Sequence, residues 1–86
     1  MLKKAYNLYA AKFGNKAQMI KAIEELSELQ KALCKYLLGD QDGEPIIEEI
    51  ADVEIMTAQL KMMFNCSNKV ESIKRKKIQR MLDRLK

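Results

Sequence analysis

Histidine and tryptophan are absent from this chain of 86 residues, and proline occurs once. Without His, the usual general base and the commonest zinc ligand are both missing. Any catalysis must therefore run through carboxylates or through a metal that they hold. Aromatics are scarce, with three Tyr and two Phe, so a core has to be aliphatic; the six Met would give it adaptable filling. The two cysteines, Cys34 and Cys66, lie far apart in no metal-like spacing. They read as free thiols of a reducing compartment, small buried hydrophobes rather than reactive groups. There is no apolar run long enough to span a bilayer and no signal-peptide pattern. The expected location is cytoplasmic, with no membrane partner.

The length fits one domain, residues 1–86. A chain this short buries only about 60–65% of its unfolded surface. Its own core is therefore thin, and association of subunits is the usual remedy. The net charge of +4 is unevenly spread, with acids crowding the middle and bases the last turns.

Hydrophobic periodicity is helical throughout, and no strand pattern occurs. Leu2, Ala5, Tyr6, Tyr9, Ala10 and Phe13 recur at helical spacing over 2–13, and Gly14 supplies a left-handed stop. Asn15-Lys16-Ala17-Gln18 fits a capping box for a second helix from about Lys16 to Leu38. Its stripe is Met19, Ile23, Leu26, Leu33 and Leu37. Gly39-Asp40-Gln41-Asp42-Gly43 ends it, and Pro45 suits the first turn of a third helix reaching about Phe64. That helix carries Ile46, Ile50, Val53, Met56, Leu60 and Phe64 on one side. Asn65-Cys66-Ser67-Asn68 breaks the pattern, and Asn68-Lys69-Val70-Glu71 reads as a capping box for a last helix running nearly to Lys86. The expected fold is all-α, a four-helix bundle type with short links and antiparallel neighbours, its core completed by oligomerisation.

Two acidic clusters lie on the two central helices, Glu24-Glu25-Leu26-Ser27-Glu28 and Glu49-Ile50-Ala51-Asp52. Residues three apart point the same way off a helix, so each cluster offers a pair of carboxylates. Helical glutamates are most often a solvated face. Glu49 departs from that pattern, since it projects within about 40° of Val53 and about 20° of Met56 and Leu60. Asp52 lies at the edge of the same stripe, whereas Glu48 points away. Glu25 and Glu28 flank the second helix's stripe beside Leu29, with Glu24 just outside. The nearest cations, Lys21 and Lys61, fall on other parts of their helices. An ionised carboxylate at a core position is costly unless paired or metal-bound. Face-to-face packing of the two helices would bring four carboxylates over one spot. Oxygen-only ligands select a hard cation, Mg²⁺ or Mn²⁺ rather than Zn²⁺.

At these residues the sequence resembles the MazG-like, all-α nucleoside triphosphate pyrophosphohydrolases, which carry Glu-Glu-x-x-Glu on one helix and Glu-x-x-Asp on the next. The spacing and helix order match, and the stretch Ile47-Glu48-Glu49-Ile50-Ala51-Asp52-Val53-Glu54-Ile55-Met56 is similar to short, phage-type members. The resemblance implies hydrolysis between the α and β phosphates, giving the monophosphate and pyrophosphate. It implies Glu25, Glu28, Glu49 and Asp52 as metal ligands and Glu24 as the group that orients or deprotonates the attacking water. It also implies a homodimer or homotetramer whose subunits complete one another's sites.

Lys74, Arg75, Lys76, Lys77, Arg80 and Arg84 load the last helix. Such runs are commonly a solvated face. If part of this one faces the carboxylates, Lys74 and Lys77 would hold substrate phosphates as point charges. A basic helix also fits a nucleic-acid binder or a helical-bundle adaptor, but there is no recognition motif or stacking platform, and the central charge is acidic. Tyr6, Tyr9 and Phe13 share one side of the first helix, the common spacing of core aromatics, or else of a wall for a base.

Overall fold

The computed structural model describes all 86 residues and contains four helices and no strand. They are α1 (Leu2–Phe13), α2 (Asn15–Leu37), α3 (Glu44–Met63) and α4 (Ser67–Asp83). The links are short, and each has a local cause. Gly14 joins α1 to α2 with φ 84° and ψ 162°, beyond the left-handed helical region and in territory held almost only by glycine. Gly39, at φ 80°, turns the chain out of α2. Asp42 Oδ1 accepts from the Glu44 N–H at 3.1 Å ahead of Pro45, which opens α3. Asn65, at φ 49°, separates α3 from α4; Asn tolerates that conformation better than most residues.

Neither expected capping box forms. Gly14 and Cys66 occupy the N-cap positions of α2 and α4, and no side chain caps either helix. Asn15 Oδ1 instead accepts from the Tyr6 hydroxyl at 3.2 Å, which ties α1 to the start of α2.

Helices α2 and α3 make the main packing, and α1 touches both. Helix α4 packs only against α3. On α2 the covered positions are Gln18, Ala22, Glu25, Leu29 and Ala32; on α3 they include Glu49, Asp52, Met56 and Gln59. Both sets repeat at three and four residues, the spacing of a two-helix seam. Ala22 and Ala32, 4% and 6% exposed, let the helices approach closely. Only Ala22, Ala32, Gln18 and Gln59 are buried, and no large side chain is fully enclosed.

The stripe expected on α2 thus lies one residue away from the true seam. Ile23 is 63% exposed and Leu37 is 82% exposed; Met19, Leu26 and Leu33 are exposed as well. In an antiparallel pair, one step along either helix turns to the same side of the hairpin. Ile50 of α3 and Phe64 just past its end, both exposed, therefore share this face with the α2 stripe, alongside half-buried Val53 and Leu60. Helix α1 covers the opposite side, against Ala17, Lys21 and Ile55. The outcome is a slab of 44 × 36 × 21 Å, two helices thick. Its radius of gyration is 15.8 Å, against about 12 Å for a compact chain of this length. Its accessible surface of 7079 Å² exceeds the roughly 5,200 Å² of a compact monomer of this mass. Cys34, expected inside, is exposed, and Cys66 is half-buried.

Candidate metal centre

The α2–α3 seam brings Glu25, Glu49 and Asp52 together, each with a carboxylate oxygen within 4.8 Å of the others. Glu49 and Asp52 lie one turn apart on α3 and so share a face. Glu25 meets them from α2 and is covered, with 14% of its side chain exposed. Each helix therefore carries a carboxylate in its seam, more than the flanking position expected for Glu25.

Glu49 is the least satisfied of the three. Its Oε2 is buried and has no hydrogen-bond partner. Burial pushes its carboxyl above the ordinary value, and the charges of Asp52, Glu25, Glu28 and Glu48 push it further the same way. This is an oxygen-rich, negatively charged pocket that a cation would relieve.

One cation does reach it. Lys21 Nζ lies 3.1 Å from Glu25 Oε1 and 3.7 Å from Glu24 Oε2. Its pKa is raised, first by the hydrogen bond to Glu25, then by the charges of Glu25 and Glu24. The pairing follows from i, i+4 and i, i+3 spacing, a relation readable from the chain, and it corrects the expectation that Lys21 falls elsewhere on its helix. A monovalent ammonium on one carboxylate leaves Glu49 Oε2 bare.

The remaining expected site residues stand farther out. Glu28 is exposed and outside the tight group, though its charge reaches Glu49. Glu24 has 61% of its side chain exposed and pairs with Lys21. Lys74 donates to Glu71 Oε1 at 3.3 Å on its own helix, and Lys77 is exposed. Lys74 is paired within α4 and neither lysine forms an ion pair with Glu25, Glu49 or Asp52 within one chain.

Beside the carboxylates a cavity of about 680 Å³ opens between α1 and the hairpin, with Glu25 and Asp52 in its wall. Tyr9 and Phe13 line it, with ring centroids 5.6 Å apart, and each is about half exposed rather than core. Gln18 and Gln59, buried at the seam, border it too. Sequence reasoning passed over both glutamines, because a polar residue at a three-and-four spacing looks like surface until the seam is known.

Compared with known protein families, curated proteins and solved structures, the chain matches none.

Proposed function

We propose that this protein is a Mg²⁺-dependent nucleotide pyrophosphohydrolase of the MazG-like type, cleaving a nucleoside triphosphate between its α and β phosphates. The observation that carries the reading is Glu49: a covered carboxylate with an unpartnered oxygen, facing two other carboxylates within 4.8 Å. Three acids in a seam destabilise an apo protein unless a cation joins them. Hard oxygen donors fit Mg²⁺ or Mn²⁺, which keep room for phosphate and water beside a few carboxylates.

Glu25, Glu49 and Asp52 would hold the metal, and Glu28, whose charge reaches Glu49, would join them if its side chain turned inward. When bound, the metal offsets negative charge on the phosphates and makes water a better nucleophile. Glu24, on the solvent side of the same turn as Glu25, would accept the water's proton. The water oxygen bonds to the α phosphorus, the bond from that phosphorus to the bridging oxygen breaks, and pyrophosphate departs with the electron pair. Lys74 and Lys77 cannot serve the carboxylates of their own chain without α4 moving. Delivery from a neighbouring subunit is the arrangement that gives them the phosphate role.

That neighbour is part of the proposal. The apolar face of the hairpin, with Ile23, Leu26, Leu33 and Ile50 exposed, has no covering element within the chain. A second copy laying the same face against it would give a four-helix layer, a homodimer or, repeated, a homotetramer. The deciding experiment is a panel of nucleoside triphosphates assayed for pyrophosphate with and without Mg²⁺. Metal-dependent pyrophosphate from at least one nucleotide is expected; none from any of them rejects the enzyme reading.

A further inference from the structure

We propose that Lys21 is a transferable cation: it neutralises Glu25 in the metal-free protein and, once a divalent ion takes that carboxylate, binds a phosphate oxygen of the ligand. This rests on the nucleotide reading above, and adds to it a phosphate-binding residue on α2, in the same chain as the acids.

Position is the first argument. Lys21 Nζ stands 3.1 Å from Glu25 Oε1 and 3.7 Å from Glu24 Oε2. No other lysine or arginine forms an ion pair with either acidic cluster. Glu25 is also one of the three carboxylates that meet within 4.8 Å. A divalent ion drawing on Glu25 would stand close to that ammonium, and the two positive charges repel.

Freedom to move is the second. The Glu25 side chain is 14% exposed and that of Lys21 is 53% exposed. The carboxylate is therefore the held partner and the ammonium the mobile one. Its four-carbon stem is flexible, and an exposed ion pair restrains it weakly. Lys21, Glu25 and Asp52 border one open space of about 680 Å³, so the ammonium can turn without backbone motion.

Charge is the third argument and the specific one. A phosphate bound to the ion would lie beside three carboxylates that repel it. An ammonium released one helical turn away offsets that repulsion. Lys74 and Lys77 make no ion pair with these acids, so within one chain Lys21 is the lysine at hand. The ion frees Lys21 and the phosphate receives it. Ion and phosphate therefore bind with positive coupling, each tightening the other through the same side chain.

The test titrates the full chain, wild type and Lys21→Met, by calorimetry. Mn²⁺ is added alone, and pyrophosphate is added to protein saturated with Mn²⁺. The substitution should act with opposite signs on the two. Mn²⁺ alone should bind the variant more tightly, and pyrophosphate should bind it roughly tenfold more weakly. Lys21→Arg keeps the charge and should recover most of the pyrophosphate affinity. In the wild type, the NMR signal of the Lys21 ammonium should move on addition of Mg²⁺ and again on addition of pyrophosphate. A signal unmoved by both overturns the proposal, and that measurement decides the point even if a variant fails to fold. Weaker binding of Mn²⁺ by Lys21→Met would make Lys21 a fixed support of Glu25 and overturn the transfer. Unchanged pyrophosphate affinity would make Lys21 a competitor alone; the phosphate role is then wrong and the hydrolase reading survives. If the wild type binds neither Mn²⁺ nor pyrophosphate, both are wrong.

Discussion

Lys21 and Glu25, one helical turn apart, meet at 3.1 Å, so one of the three converging carboxylates has a cation before any metal arrives. A divalent ion at this site would have to compete with that ammonium. Lys21→Met should therefore tighten Mn²⁺ binding, by roughly two- to five-fold given the modest strength of exposed ion pairs. Calorimetric titration of Mn²⁺ into wild type and variant measures it. Weaker binding by the variant would mean that Lys21 supports the site instead of competing for it.

Glu49→Gln removes one charge from the crowded seam. The metal-free variant should melt no lower than wild type, because it loses repulsion and keeps its shape. Mn²⁺ should raise the melting temperature of wild type and leave that of the variant nearly unchanged. Turnover should vanish while far-UV helix content stays the same. Wild-type activity in the variant would remove Glu49 from the ligand set.

The raised carboxyl of Glu49 also sets a pH dependence. The folded state holds its proton to a higher pH than the unfolded chain does. Between the ordinary value of 4.5 and the raised one, folding therefore takes up a proton. Its contribution is fully present below 4.5 and is lost as pH rises through the raised value. In EDTA, wild-type melting temperature should fall relative to Glu49→Gln over that interval, whereas in saturating Mg²⁺ the wild type should no longer lose ground and should melt above the variant. Parallel pH profiles in EDTA would show that burial of Glu49 does not matter energetically.

The uncovered face of the hairpin predicts self-association. Wild type should sediment as a dimer or tetramer at micromolar concentration. Replacing Ile23 and Leu33 together by Glu should shift it to monomer, with a loss of helix content that grows on dilution. A wild-type chain that stays monomeric would leave those side chains without a function.

The lysines of α4 separate an enzyme's phosphate grip from a solvated helix. If α4 reaches a neighbouring subunit's site, Lys74→Ala with Lys77→Ala should weaken binding of pyrophosphate in the presence of Mn²⁺ and leave binding of Mn²⁺ alone intact. Unchanged pyrophosphate affinity would return the pair to plain surface.

Helix positions were legible in the residues because Gly14, Pro45 and Asn65 mark the breaks through backbone preferences that act locally. Glu49 was legible too, since its own helix has apolar neighbours on both sides of it. The α2 seam was not. Met19, Ile23 and Leu26 form the more hydrophobic stripe, and periodicity alone takes the more hydrophobic stripe as the inward one. Within the chain, however, α3 packs on the adjacent line of Gln18, Ala22 and Glu25, where small Ala side chains permit contact. A helix with two usable faces cannot declare from its own spacing which one its nearest neighbour takes. The same ambiguity hid Gln59, which looks like surface until its place in the seam is known.

Gly14 holds φ 84° and ψ 162°, and nothing lies within 4 Å of where a Cβ would stand there. Space is thus no obstacle to a side chain, but the torsions are. Gly14 is the covalent link between α1 and the hairpin, so alanine at position 14 would strain that link and work against the packing of α1 on α2 and α3. The cavity lined by Tyr9 and Phe13 would change its gape while Glu25, Glu49 and Asp52 kept their positions, so its shape can drift in evolution independently of the acidic group.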